Sequence, residues 1–256
     1  MPASMTGQTA IVTGGSRGIC LAAAKAMLDR GANVCITGRH EEQLAEALAH
    51  LAAGNRAIAV AGHAAEAAHR EETVATVMAT FGSIDVLVNG VGINPYYGSL
   101  SDLPEDVAIK MYRTNVLAAL EWFKLCEKAW MAEHGGSVVN LAAAGVYRGG
   151  PLLGAYCVTK AALVRLTEQL ALEKAPLRIR FNAVAPATVR TKFAAKFWEG
   201  NEEAVAAAYP IGRAGEPEDV GEAIAFFASN DSSWITGQTL AIDGGLLLTT
   251  SVDSLA

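Results

Sequence analysis

Tyr156 and Lys160 lie four residues apart in a stretch of helical period, so both side chains project from one face of the same helix. A free tyrosine, with a pKa near about 10, is a poor acid or base at neutral pH; a nearby ammonium favours the phenolate and lowers that value toward the working range. The pair has the make-up of a proton-transfer couple. A second group lies near the N-terminus, where Thr13-Gly14-Gly15-Ser16-Arg17-Gly18-Ile19-Cys20 follows a short apolar run and leads into a helix. Glycines there permit a tight turn and a close backbone approach to a pyrophosphate, which the helix N-terminus attracts through its free N–H groups and dipole.

Such groups need a scaffold that brings distant segments together. Short apolar runs rich in β-branched residues recur at Thr9 to Thr13, Asn33 to Thr37, Ala57 to Ala61, Val86 to Asn89, Ser137 to Leu141, Arg178 to Val184 and Thr239 to Ile242. Most are apolar on both faces, as strands of a parallel sheet covered on two sides should be. Between them, stretches of helical period occupy 18–30, 41–53, 66–81, 104–133, 155–174 and 217–229. Arg30-Gly31, Ser101-Asp102-Leu103-Pro104 and Gly215-Glu216-Pro217 punctuate them as helix stops and starts. Alternation of strand and helix predicts an α/β layered sheet. One stretch, 187–212, breaks the alternation and carries Phe193, Phe197, Trp198 and Tyr209. A loop that long inside a compact domain reads as a lid, with two surface helices packing their aromatics as the alternative.

Composition sets the outer limits. The 256 residues suit one large domain or two small ones; 20 Lys+Arg against 26 Asp+Glu give a net charge of -6, and 52% of residues are hydrophobic. That disfavours disorder, and the lack of a basic stripe disfavours nucleic acid as a partner. Cys20, Cys35, Cys126 and Cys157 are scattered and read as reduced thiols, and the five histidines show no metal-ligand spacing, so no metal is expected. With neither a signal peptide nor an apolar run long enough for a membrane span, a soluble, cytoplasmic protein is the expectation.

The motifs together resemble the short-chain dehydrogenase/reductase family: TGGSRGI at the turn, LVNGVG at 87–92, Asn115 on a helix, Tyr156-Cys-Val-Thr-Lys160, Asn182-Ala-Val-Ala-Pro186, Val189 and Thr191, and Ile242-Asp243-Gly244-Gly245. The likeness runs from about residue 8 to 245 and rests on the order and spacing of these motifs. It implies a single doubly wound Rossmann-type domain, an α/β fold of about seven parallel strands with helices on both faces. It also implies NAD(H) or NADP(H) and a homodimer or homotetramer. The family's roles fall here on Tyr156 as acid/base, Lys160 as its pKa modifier and ribose ligand, and Asn115 as relay. Cofactor positions by the same likeness are Gly14, Ser16, Arg17, Gly18, Ile19, Arg39, His63, Asn89, Gly90, Pro186, Val189 and Thr191.

The second strand ends Ile36-Thr37-Gly38-Arg39-His40, with glycine where an acid would accept hydrogen bonds from the ribose of NAD. Arg39 and Arg17 could clamp a 2′-phosphate, so NADP(H) is the expected cofactor. The family's catalytic serine, 13 residues before the tyrosine, is here Ala143, and residues 142 to 144 are all alanine. Removing one oxyanion-type donor costs roughly 10²–10³ in rate. Three readings stay open: Tyr147 or a substrate group replaces the hydroxyl, the substrate is an imine or similar acceptor, or the chain is a weak catalyst, including a cofactor-binding regulatory or assembly subunit.

Other departures are Cys20 for the third glycine of the turn, Gly90-Val91 for the usual Asn-Ala, His63 for an adenine-contacting aspartate and Ala187 for glycine. Cys20 is expected to tilt the helix or crowd the cofactor. Substrate-side candidates, on loops after strand C-terminal ends, are Ile93, Asn94, Tyr96, Tyr97, Tyr147, Leu152, Leu153, Phe193 and Phe197; such a wall suits a hydrophobic small molecule. Trp122, Phe123, Leu125 and Trp130 on the 104–133 helix are expected at a subunit interface, with plain core as the alternative.

Overall fold

The computed structural model describes residues 2–249. Seven strands, β1 (Thr9–Thr13), β2 (Asn33–Gly38), β3 (Ala57–Ala61), β4 (Val86–Asn89), β5 (Gly136–Leu141), β6 (Ile179–Pro186) and β7 (Thr239–Ile242), form one sheet in the order β3-β2-β1-β4-β5-β6-β7. Every neighbouring pair is parallel. Successive residues of the central strands feed two separate cores, which is why the runs are apolar throughout. Val12, Ile36, Val88 and Val139 face the side covered by α1 (Gly18–Asp29), α2 (Glu41–Leu51) and α9 (Pro217–Ala228). Ile11, Cys35, Leu87 and Val138 face the side covered by α3 (Ala67–Phe81), α5 (Ala118–Cys126) and α7 (Gly154–Lys174).

Chain order reverses at β1, which pairs with β2 on one side and β4 on the other. The crevice beyond the carboxyl ends of strands at such a switch point is where open α/β sheets bind ligands. Both the glycine turn after β1 and the loop after β4 open there.

Four local expectations change. The sixth strand starts at Ile179, because Arg178 has φ +60 and closes the preceding turn in a left-handed conformation. The long helix over 104–133 is α4 (Glu105–Tyr112), α5 and α6 (Ala132–His134), joined by π-helical turns at Arg113–Leu117 and Glu127–Met131. Pro104 is the residue before that helix and not its first turn. Trp122 and Phe123 are each 1% exposed and belong to the core, where Phe123 meets Phe181 edge-on at 4.7 Å. The π-turns on either side of α5 shift its faces off a regular 3.6-residue period. Trp130 donates its indole N–H to Asp85 at 3.2 Å and stacks on His134.

The 187–212 stretch holds a bridge from Val189 to Gly215, a 3-10 turn at Ala195–Phe197 and a short helix, α8 (Glu202–Ala207). Tyr209 is buried and its hydroxyl accepts from Thr188 N at 3.0 Å. The Trp198 indole donates to the Thr191 carbonyl at 3.2 Å. Phe193 and Phe197 stay outward, at 52% and 40% exposed. Among the described residues no helix is long and apolar enough to cross a membrane, and no three His, Cys, Asp or Glu side chains are grouped to hold a metal ion. The four cysteines are free.

Candidate active site

The glycine turn is built by close packing. Gly14 and Gly18 adopt φ +72 and +57, conformations costly for any other residue. A Cβ on Gly15 would lie 2.7 Å from Ile36 Cγ2, so the turn is pressed against β2. Arg17 has extended backbone at the N-cap of α1, which leaves the first N–H groups of that twelve-residue helix facing the crevice. Thr191, from the loop after β6, brings its Cγ2 within 3.1 Å of where a Cβ on Gly18 would be, roofing the turn. This cradle suits a dinucleotide pyrophosphate, since backbone amides are exposed where no side chain could fit.

Gly38 ends β2 beside Ser16, whose Oγ lies 3.3 Å from where a Cβ on Gly38 would be. Arg17 and Arg39 flank this contact, are both exposed, and make no ion pair among the described residues. His63, past the end of β3, accepts from Ala65 N through Nδ1 at 3.2 Å. Asn89 does not present its side chain to the crevice. Its amide donates to Asn140 Oδ1 at 2.9 Å, and Asn140 donates to Thr167 Oγ1 at 2.8 Å, tying β4 and β5 to α7.

At the other end of the crevice stand Tyr156 and Lys160. The stripe Ala155, Thr159, Leu163, Thr167 and Leu170 is buried, which turns this face of α7 to the sheet and takes Lys160 with it to 1% exposed. Lys160 Nζ donates to the Leu141 carbonyl at 2.6 Å and lies 5.6 Å from the centre of the Tyr156 ring. Burial lowers the Lys160 pKa to about 8, with a smaller opposing contribution from Cys20. The expectation that the ammonium depresses the phenol is not met here. Burial pushes Tyr156 above the ordinary phenol value, with Cys157 and Tyr97 adding to it. Both groups are desolvated, and the ammonium is engaged by Leu141.

Asn115 is held on the first π-turn. Its Oδ1 accepts from Ile93 N at 2.8 Å, and its Nδ2 donates to the Ile93 carbonyl at 3.0 Å and to Thr159 Oγ1 at 2.9 Å. The loop after β4 is thereby fixed to α7. Thr159 and this π-turn escaped the sequence reading; the threonine's place three residues after Tyr156 was the available signal, whereas a π-turn has no periodic signature.

Ala143 has extended backbone and precedes a 3-10 turn at Ala144–Val146. Tyr147 does not take the serine's place: its hydroxyl donates to the Thr239 carbonyl of β7 at 2.7 Å. Pro186 ends β6, and the Tyr96 hydroxyl is held by the Ser99 carbonyl at 2.7 Å. Aromatic rings gather over the pair instead. Phe193 lies 6.1 Å from Tyr156 at 45°, Tyr97 lies 6.1 Å from Phe197, and Lys196 sits 4.9 Å above Tyr97. Asn94 carries a buried Oδ1 with no partner, and Leu153 starts α7 as its N-cap, with its carbonyl accepting from Cys157 N at 2.9 Å.

A parallel switch-point sheet with a glycine cradle and a Tyr156 ring beside a buried Lys160 at one crevice defines a nicotinamide-dependent oxidoreductase. Comparison with known proteins agrees. A family model described as enoyl-(acyl carrier protein) reductase matches residues 5–247. The chain is 36% identical over 247 residues to dehydrogenase/reductase SDR family member 4 of Caenorhabditis elegans, covering 94% of this chain and 95% of the relative. It is 35% identical over 246 residues to the human protein of that name, covering 94% and 88%. A structure from Brucella melitensis, described as a short-chain dehydrogenase/reductase of glucose/ribitol dehydrogenase type, superposes with TM-score 0.89 at 29% identity, covering 96% of this chain and 99% of that one. The chain belongs to the short-chain dehydrogenase/reductase family.

Proposed function

We propose that the protein is an NADP(H)-dependent reductase of a hydrophobic carbonyl or imine compound. The observation that carries the reading is the placement of the Tyr156 ring 5.6 Å from the ammonium of a buried Lys160 and 6.1 Å from the Phe193 ring. The cofactor, when bound, supplies the hydride. Tyr156 gives its proton to the substrate oxygen or nitrogen as the carbon is reduced. Burial holds the Tyr156 phenol above its ordinary value, so it is protonated at neutral pH and carries the proton to be donated. Lys160 stabilises the phenolate that remains, and Asn115 with Thr159 holds the loop that packs on Lys160.

The preference for NADP(H) rests on Arg17 and Arg39, two guanidinium groups in no ion pair among the described residues, at the ribose end where Gly38 offers no carboxylate. The aromatic wall of Tyr97, Phe193 and Phe197 suits a ring-bearing or otherwise apolar substrate, over which part of 187–212 serves as a lid. A second reading is favoured by Ala143: with no hydroxyl at that place and Tyr147 engaged elsewhere, the chain binds cofactor and turns over slowly, as a regulatory or assembly subunit. Incubation with NADPH and a panel of cyclic ketones and imines separates the two. Turnover on any of them supports the reductase; binding without turnover supports the second reading.

A further inference from the structure

The turn after β1 and the loop after β4 meet through one side chain. Cys20, in the first turn of α1, is 4% exposed, and its thiol occupies the place where a Cβ on Gly90 would be. That Cβ would also lie 2.8 Å from the Thr13 carbonyl, whereas Cys20 Cβ would stay at 3.5 Å, an ordinary contact. The thiol is directed at the loop after β4, where glycine at 90 makes the room for it. Thr13 closes the same junction, its Oγ1 accepting from Gly90 N at 2.9 Å and donating to the Val88 carbonyl at 3.1 Å.

Three residues along the loop, Ile93 is bonded to Asn115 through both its N–H and its carbonyl. Between them, a Cβ on Gly92 would lie 3.1 Å from Lys160 Nζ and 3.7 Å from Asn115 Oδ1. Residues 90 to 93 thus form a short rigid strut, with Cys20 at one end and Lys160 and Asn115 at the other. Close-packed neighbours of this kind pass on displacements, because no void absorbs them.

We propose that Cys20 is a positioning residue for the nicotinamide cofactor: seated over Gly90, it sets the separation between the glycine turn and the strut that packs on Lys160. The thiol acts through its volume; burial raises its pKa to about 12, so it is not a nucleophile here. The proposal needs a nicotinamide cofactor but not the preference for NADP(H), so titration with both NADPH and NADH keeps the two claims apart.

The test is a double-mutant cycle of Cys20→Ala and Gly90→Ala, read by the Kd of each reduced cofactor from its fluorescence and by Tm. Gly90→Ala should raise Kd about tenfold, as a methyl group is driven against the thiol. Adding Cys20→Ala should recover at least about fivefold, with the Thr13 carbonyl limiting full rescue. If Gly90→Ala does not fold, a double variant that folds and binds supports the pairing, and one that does not overturns it. Coupling seen in Tm alone, with Kd additive, would show a purely structural contact and overturn the positioning role, as would the absence of coupling in both.

Discussion

Lys160 donates to the Leu141 carbonyl at 2.6 Å from a position 1% exposed, which ties the cation beside Tyr156 to the end of β5. A lysine held this way carries a signature in stability. It titrates at about 8 in the folded protein and at its ordinary 10.5 when unfolded. Between those values the unfolded chain holds the extra proton, so this group makes stability rise with pH, and its full cost is present below about 8. Cys20, Cys35 and Cys126, raised from 9.0 to about 12, act in the opposite direction over pH 9 to 12, so the measurement is a comparison with a variant that keeps them. Urea unfolding of wild type and Lys160→Met should show wild type gaining on the variant by about 1–2 kcal/mol between pH 7.5 and 9.5. A difference independent of pH contradicts the buried, readily neutralised lysine.

Restoring the hydroxyl tests whether Ala143 limits the rate. Ala143→Ser should raise kcat for ketone reduction by roughly 10²-fold, the usual value of one such donor. Tyr147→Phe should leave kcat within about twofold, because that hydroxyl is spent on Thr239. A large loss in Tyr147→Phe would mean that the tyrosine leaves β7 during turnover.

Cofactor choice turns on the ribose end. Arg39→Ala should weaken NADPH binding about tenfold to a hundredfold, the range for a charge-assisted hydrogen bond, and leave NADH nearly unchanged. Gly38→Asp should shift preference toward NADH by repelling the 2′-phosphate. Equal losses for both cofactors would mean that Arg39 does not meet the phosphate.

Phe193 is 52% exposed and leans on Tyr156, so its contribution belongs to substrate binding more than to folding. Phe193→Ala should raise KM for hydrophobic ketones about tenfold with a smaller effect on kcat, and should change Tm little. Loss of kcat at unchanged KM would instead assign the ring to positioning Tyr156.

Much of this architecture is legible in the residues themselves. The strands at β1, β3, β4 and β7 match their apolar runs end to end, and in β1 and β4 successive residues feed two cores and so are apolar on both faces. What could not be read depends on long-range packing. Arg178 looks like strand until its left-handed conformation is known, and Trp122, expected at an interface with core as the alternative, is 1% exposed within the chain. The site shows the same division. The i,i+4 spacing of Tyr156 and Lys160 after the fifth strand can be read locally, but the engagement of Lys160 by Leu141, of Tyr147 by Thr239 and of Cys20 by Gly90 joins segments from 19 to 92 residues apart. No local pattern encodes such partners, and they decide which groups are free to do chemistry.

In the proposed reaction Tyr156 delivers the proton during hydride transfer. The direct test is the rate of NADPH oxidation with the best ketone or imine substrate, wild type against Tyr156→Phe, with NADPH affinity measured alongside. Turnover should fall by at least about 10²-fold with NADPH still bound, in keeping with removal of a general acid. Turnover that survives in Tyr156→Phe would contradict it.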